Sequence, residues 1–159
     1  MPFADLSVGD FAAALGERAP TPASGAATAV TAALAAALAE LTARFSGDEP
    51  SADEAVRLRE RLLALADEDA AAYAELMETR SDAARERTID VPLEIAEHAA
   101  DVVRLAERTR ASARGSVAGD AEVAALIARA AVAAAARLVE MNLRGRDDPR
   151  AHRARELPA

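Results

Sequence analysis

The chain has 159 residues, a net charge of −8, 52% hydrophobic residues, only 3% aromatic residues and no cysteine. This length fits one domain, and the acidic balance disfavours binding to the phosphate backbone of nucleic acids. The absence of cysteine excludes disulfides and thiolate catalysis, and because every basic residue is arginine, Schiff-base chemistry on lysine is excluded too.

Helical signals recur along the chain whereas alternating strand patterns are almost missing, so we predict an all-α bundle of about five helices. Ser7, followed three residues later by Asp10, predicts the start of a short first helix. Pro20 and Pro22 end any helix that precedes them, because proline lacks a backbone N–H and disfavours helix in the residue before it.

A turn over residues 18–25 leads directly into an alanine-rich helix predicted to end near Phe45. Thr21, Ser24 and Gly25 place hydroxyl and backbone groups at the start of that helix. Helix N-termini carry unpaired N–H groups and the positive end of the helix dipole, so this turn suits a polar or anionic ligand. A plain interhelical turn is the simpler interpretation and is favoured on this segment alone.

The second helix carries small or apolar side chains around its whole circumference, which indicates that it is buried on several sides. The run from 25 to 39 is short and rich in alanine, and no basic and apolar leader begins the chain. We therefore predict a cytoplasmic protein without a membrane span. The last helix carries small residues around most of its surface as well. A bundle of this size can bury all faces of one such helix but less easily of two, so we predict a homodimer that shares this surface.

The remaining helices are delimited by capping and breaking residues. Ser51 with Glu54 resembles a capping box that opens a long third helix. A fourth helix starts near Pro92, or Pro92 kinks one longer helix; the sequence leaves both open. The last helix is predicted over 120–143, and the arginine-rich residues 146–159 are predicted to be a disordered tail beyond a domain spanning 1–145.

Asp69 and Tyr73 lie four residues apart and therefore on one face of the third helix, which is otherwise mostly apolar. A carboxylate and a phenol on such a face are suited to a polar heterocycle. A partly desolvated carboxylate also acquires a raised pKa and becomes able to move a proton. The alternative is that Asp69 is hydrated at the boundary while Tyr73 belongs to the core.

Two further polar residues have simple structural explanations. Asp120 follows Gly119 and precedes an apolar run, so it is predicted to cap the last helix. Asn142, near the end of that helix, is predicted to cap its C-terminus or to bind backbone or ligand. His98 and His152 are far apart in sequence, so no metal site is predicted.

Taken in order, these segments resemble the cyclodeaminase/cyclohydrolase family, which includes the C-terminal half of formiminotransferase-cyclodeaminase and the stand-alone methenyltetrahydrofolate cyclohydrolases. The family's Pro-Thr-Pro-Gly-Gly-Gly turn is matched by residues 20–25, and its Asp-x-x-Ala-Phe/Tyr motif by residues 69–73. A Val-Pro-Leu segment at 91–93 and an Asn-Leu pair at 142–143 follow. The resemblance extends from Leu6 to Leu143.

The resemblance implies an all-helical homodimer that binds tetrahydrofolate near the dimer interface and acts on its one-carbon unit without a metal. It implies either closure of 5-formiminotetrahydrofolate to the 5,10-methenyl form with release of ammonia, or hydrolysis of the methenyl ring. Asp69 then becomes the candidate acid/base or pterin anchor. The implied substrate-binding residues are Thr21, Pro22, Ser24, Gly25, Tyr73, Asp120 and Asn142.

Two other functions remain open at this point. Ala23 and Ser24 replace two of the family's three glycines, which favours a non-catalytic helical dimer that binds folate or serves as an assembly module. A helical adaptor unrelated to folate is the third alternative, and it predicts an exposed apolar patch for a partner.

Overall fold

A computed structural model describes all 159 residues, and it is entirely helical, as the sequence predicted. A short 3₁₀ turn, Phe3–Asp5, precedes six α-helices. These are α1 (Val8–Gly16), α2 (Ser24–Phe45), α3 (Glu49–Thr79), α4 (Asp82–Ser112), α5 (Val117–Leu143) and α6 (Pro149–Arg155). Helix α2 is central and packs against α3, α4 and α5.

Local capping explains the helix starts, although two caps differ from the prediction. Ser7 caps α1 as predicted, its hydroxyl oxygen accepting the Asp10 N–H at 3.0 Å. Helix α3 begins at Glu49 rather than Ser51, because the Asp48 side chain accepts the Ser51 N–H and places proline in the first turn. The predicted capping box at Ser51 is therefore wrong.

Helix α4 begins at Asp82 and continues through Pro92, which is buried inside it, so the alternative of one longer helix is the one that the structure shows. Ser81 caps α4 by accepting the Ala84 N–H at 3.1 Å. The chain breaks between α3 and α4 at Arg80 and Ser81, before this segment.

Alanines, rather than the larger apolar residues, form the centre of the bundle. Eight alanines of α2 are at most 2% exposed, and such small side chains let helix axes approach closely. Several larger apolar residues are exposed instead, including Leu34, Phe45, Met77, Leu126 and Met141. Because alanine is apolar on every side of these helices, the periodicity of the sequence does not indicate which face is buried.

The predicted disordered tail differs from the structure, because residues 149–155 form α6. The Asp148 side chain caps this helix by accepting the Arg150 N–H at 2.9 Å. Ala151 and Ala154 are buried against a small cluster contributed by α4 and α5: Ile89, Leu93, Val139 and Leu143. The arginines that suggested disorder instead form ion pairs, Arg150 with Glu86 and Asp90 among them.

Helix α2 has the length and composition of a membrane span, with 22 residues and a mean hydropathy of 1.6. Its shortness is therefore no argument against a span. Within the fold, 56% of its most apolar window is buried by the other helices, as in the core helix of a globular bundle.

Candidate functional site

A cavity of about 260 Å³ opens at the N-terminal end of α2. Four parts of the chain contribute to it: the turn before α2, the middle of α3, the first half of α4 and the end of α5. The lining residues are Pro20, Thr21, Ala23, Ser24, Gly25, Asp69, Tyr73, Thr88, Pro92, Leu138, Met141 and Asn142. Six of the residues singled out from sequence thus meet in one place: Thr21, Ser24, Gly25, Asp69, Tyr73 and Asn142.

The Asp69 carboxylate lies directly against the backbone of Gly25, in the first turn of α2. A Cβ atom added to Gly25 would lie 2.1 Å from Asp69 Oδ1 and 2.2 Å from its Cγ. No side chain larger than hydrogen fits there while the carboxylate keeps its position. Glycine is thus needed at position 25 to admit Asp69, a role that the sequence did not reveal.

The Asp69 carboxylate lies beside the N-terminus of α2, where Ala23 at the N-cap position makes no side-chain capping hydrogen bond. An acidic group at this position is favoured by the unpaired N–H groups and by the helix dipole. The carboxylate belongs to α3 and is 46 positions after Ala23 in the sequence.

Burial raises the pKa of the Asp69 carboxyl above its ordinary value, and the Ala26 N–H opposes this only in part. Removal from water disfavours the ionised form, whereas the hydrogen bond stabilises it. Such a carboxyl exchanges its proton more readily near neutral pH than an exposed aspartate does. Asp69 is therefore the group in the cavity that is suited to both accept and donate a proton.

Tyr73 lies one helical turn after Asp69 and also lines the cavity. Its side chain is 41% exposed, so it is a wall of the cavity and not a core residue. Thr21 and Ser24 border the same space from the turn before α2. The Ser24 backbone carbonyl accepts the Thr28 hydroxyl at 2.7 Å.

The Asn142 side chain binds a backbone carbonyl that Pro92 leaves without a helical partner. Proline has no N–H, so the carbonyl of Thr88, four residues earlier in α4, loses its helical partner. The Asn142 amide Nδ2 donates to that carbonyl at 2.6 Å. This contact satisfies a buried acceptor and fixes the amide orientation, so that the Asn142 carbonyl oxygen and its second N–H remain for a ligand. Asn142 binds backbone of α4 and does not cap its own helix.

Two of the predicted binding residues do not line this cavity. Pro22 belongs to the turn but lies outside the lining, and its peptide bond with Thr21 is cis. Asp120 lies in the first turn of α5 and does not cap it, because the helix begins earlier, after Ser116. About 22 residues at 1.5 Å each separate Asp120 from Asn142, or roughly 33 Å along α5.

Six lining residues were not among the predicted site residues: Pro20, Ala23, Thr88, Pro92, Leu138 and Met141. The sequence did contain a signal for Thr88 and Pro92, because a proline inside a helical pattern frees the carbonyl four residues before it. Leu138 and Met141 gave no such signal, since apolar residues in a helix are normally taken as core. No group of three or more metal-ligating side chains converges in the structure.

The chain is similar to known proteins in sequence and in fold. Residues 7–156 match the model of the formiminotransferase-cyclodeaminase family. The fold is similar to the crystal structure of formiminotetrahydrofolate cyclodeaminase from Thermotoga maritima, with a TM-score of 0.88 and 25% sequence identity. That similarity covers 97% of this chain and 87% of the other. No curated protein matches the sequence.

Proposed function

Because this chain belongs to the formiminotransferase-cyclodeaminase family, we propose that it closes 5-formiminotetrahydrofolate to 5,10-methenyltetrahydrofolate and releases ammonia. The observation that carries the proposal is the half-buried Asp69 carboxyl, which lies against Gly25 in a cavity that Tyr73 and Asn142 also line. Tetrahydrofolate is then the carrier of the reacting carbon.

The reaction requires a group that moves protons between two nitrogens. N10 of the folate attacks the formimino carbon, N10 loses its proton, and the formimino nitrogen gains protons until it leaves as ammonia. Asp69, with its raised pKa, accepts the N10 proton and donates to the leaving nitrogen, and one further proton comes from solvent. The bond from carbon to the leaving nitrogen breaks as the methenyl cation forms.

The cavity residues suit the ligand as well as the reaction. The Asn142 amide, oriented by Thr88, offers both a donor and an acceptor to the polar edge of a pterin. Tyr73, Leu138 and Met141 supply apolar surface for the ring. Thr21 and Ser24, which also line the cavity, add hydroxyl groups.

Turnover with 5-formiminotetrahydrofolate tests the proposal. We expect the purified protein to form methenyltetrahydrofolate, followed by its absorbance, together with an equal amount of ammonia. The Asp69→Asn variant, which keeps the shape but cannot move a proton, should lose about 10²-fold or more in kcat. Rates equal to buffer for the native protein would refute the enzymatic function.

The same assay separates the alternatives. A cyclohydrolase would instead accelerate the decay of added methenyltetrahydrofolate and would form no ammonia. A non-catalytic folate-binding dimer would show a higher melting temperature with reduced folate but no turnover. The half-buried Asp69 carboxyl with its raised pKa supports the catalytic alternative, because a binding module does not need a proton-transferring group.

We also propose that the chain forms a homodimer through the outer face of α2 and α5. Leu34 and Phe45 of α2 and Leu126 of α5 are 58%, 73% and 59% exposed, although both helices belong to the centre of the bundle. A shallow groove of small residues runs between the two helices, formed by Ala27, Thr28, Thr31, Ala130, Ala131 and Ala134. Small residues permit close helix approach, and the apolar side chains beside the groove favour association with a second copy.

Sedimentation of the native protein and of Leu126→Glu tests the dimer. We expect a native dimer and a variant monomer that remains helical. Val8→Glu, at an exposed apolar position on α1, is the matched control and should remain dimeric. A native monomer at high concentration would refute the proposed dimer.

A further inference from the structure

A second, smaller cavity adjoins the proposed site. It is lined by Tyr73, Leu76, Arg85, Thr88, Asn142 and Arg144. Tyr73, Thr88 and Asn142 also line the main cavity, so these three residues form a common wall. The groove that begins at Asp69 therefore continues past Asn142 to a pair of arginines.

Those two arginines differ from their neighbours in having no acidic partner. Arg87 pairs with Glu75 and Arg146 pairs with Glu86, but neither Arg85 nor Arg144 lies within 4.0 Å of a carboxylate oxygen. The chain as a whole carries a charge of −8. Two unpaired guanidinium groups beside one cavity thus make a local positive field in an acidic protein.

Arg144 stands at a position where arginine has no conformational advantage. Its φ of 53° lies in the left-handed region at the end of α5, and Gly145 follows with a φ of 80°. Glycine adopts this conformation more easily than arginine does. The backbone conformation at residue 144 therefore does not explain why arginine, rather than glycine, is found there.

The main cavity is also too small for a whole folate. Its volume of about 260 Å³ falls below the roughly 300–1,000 Å³ of pockets that enclose drug-sized ligands. One end of the ligand fits beside Asp69, and the remainder must extend along the groove. The adjoining cavity provides that extension.

We infer that Arg85 and Arg144 form an anion-binding subsite, which binds the carboxylates of the ligand's glutamate tail while the pterin lies beside Asp69. This inference rests on the proposed function, because it assumes that the ligand is a folate. Guanidinium groups bind carboxylates through parallel N–H donors, which suits a flexible dicarboxylate. Tyr73 and Asn142, which line both cavities, then lie at the middle of the ligand.

Calorimetric binding of two ligands tests the subsite. 5-Formyltetrahydrofolate carries the glutamate tail, and 6,7-dimethyltetrahydropterin lacks it. We expect the double variant Arg85→Gln/Arg144→Gly to bind the folate about tenfold more weakly than the native protein, with pterin affinity unchanged. The folate affinity of the variant should also depend less on salt concentration, since fewer charge contacts remain.

The variants are chosen so that the fold survives. Glycine at position 144 suits the left-handed backbone and should not lower the melting temperature. Arg114→Gln is the matched control, because Arg114 is exposed, has no acidic partner and lines a different cavity with Phe45 and Val117. It removes one positive charge, where the double variant removes two, and should leave folate affinity and its salt dependence unchanged.

Each outcome separates the inference from the proposed function. If the native protein binds the folate and the double variant binds it equally well, the subsite is refuted and the proposed function stands. Equal loss of folate affinity in Arg114→Gln would also refute the subsite, because net charge would then explain the effect. If the native protein binds neither ligand, the proposed function fails and the subsite fails with it.

Discussion

The two ends of the α2–α5 pair each carry a cavity, and they differ in what the cavity contains. At one end, the start of α2 and the end of α5 enclose Asp69. At the other end, the finish of α2 and the start of α5 line a larger space of about 430 Å³ with Phe45, Ser46, Ser112, Arg114 and Val117. The larger cavity contains no acidic or histidine side chain.

The comparison shows that a half-buried titratable group distinguishes the site better than volume does. Both ends have a helix N-terminus, of α2 or of α5, and neither helix has a side-chain cap of its own. Only at the α2 end does a carboxylate from another helix lie beside the helix N-terminus. Helix α6 also supports only this end, because it packs beside Ile89, Leu93, Val139 and Leu143, which neighbour the cavity residues in sequence.

The largest expected effect comes from exchanging glycine for alanine at the two ends. Gly25→Ala introduces a Cβ at 2.1 Å from Asp69 Oδ1, so the carboxylate must move. We expect turnover to fall by at least about 10²-fold and stability to fall by about 1–3 kcal/mol. Gly119→Ala at the α5 end meets nothing within 4 Å and should stabilise the helix by about 0.5–1 kcal/mol. Equal effects in kinetics and urea unfolding would contradict the comparison.

The pH dependence of stability should reveal the Asp69 carboxyl. In the folded protein its pKa lies above the ordinary value of 3.8. Between about pH 3.8 and the raised pKa, the native state therefore binds more protons than the unfolded state. Stability contributed by the protonated group is therefore lost as pH rises through that window. We expect Asp69→Asn to gain stability relative to the native protein as pH rises from about 3 to 7.

The difference between the two proteins isolates Asp69 from the other carboxyls. Arginine partners lower the pKa values of Glu86 and Glu140, so their contributions are lost as pH falls, but both proteins share them. Chemical unfolding at several pH values measures the difference. A difference that is constant with pH would contradict the raised pKa.

A smaller effect is expected from the pair Pro92 and Asn142. Asn142→Leu leaves the Thr88 carbonyl without a partner and should lower stability by about 1–3 kcal/mol. In a Pro92→Ala background the new N–H at position 92 takes that carbonyl, so the same substitution should be nearly neutral. A double-mutant cycle by denaturant unfolding measures the coupling, and additive effects would contradict this arrangement.

The smallest effect is expected from Arg150→Ala in the tail. Arg150 contacts Glu86, Asp90 and Asp148, and because Glu86 and Asp90 are 39% and 59% exposed, solvent partly screens these ion pairs. We expect the melting temperature to fall by no more than about 4 °C and KM to rise slightly. A change confined to the α5 N-terminal end, seen by hydrogen exchange, would contradict the support that α6 gives the site.

The sequence by itself determined the helical class, the extent of α2, the Ser7 cap and the family. Each of these depends on residues within a few positions of one another, such as a capping hydroxyl, a proline or a helical run. It also placed Asp69 and Tyr73 on one face of α3, because residues four apart share a helix face. The resemblance then brought Thr21, Ser24, Gly25 and Asn142 together as one candidate site.

Only the tertiary structure decided which surfaces face inward and what the site residues contact. Alanine lies on every face of α2 and α5, so the sequence pattern does not show that Leu34 and Leu126 are exposed. The contact between Asp69 and Gly25 and the bond from Asn142 to Thr88 join distant segments. No local propensity encodes such contacts, because they arise when packing places one helix end beside another.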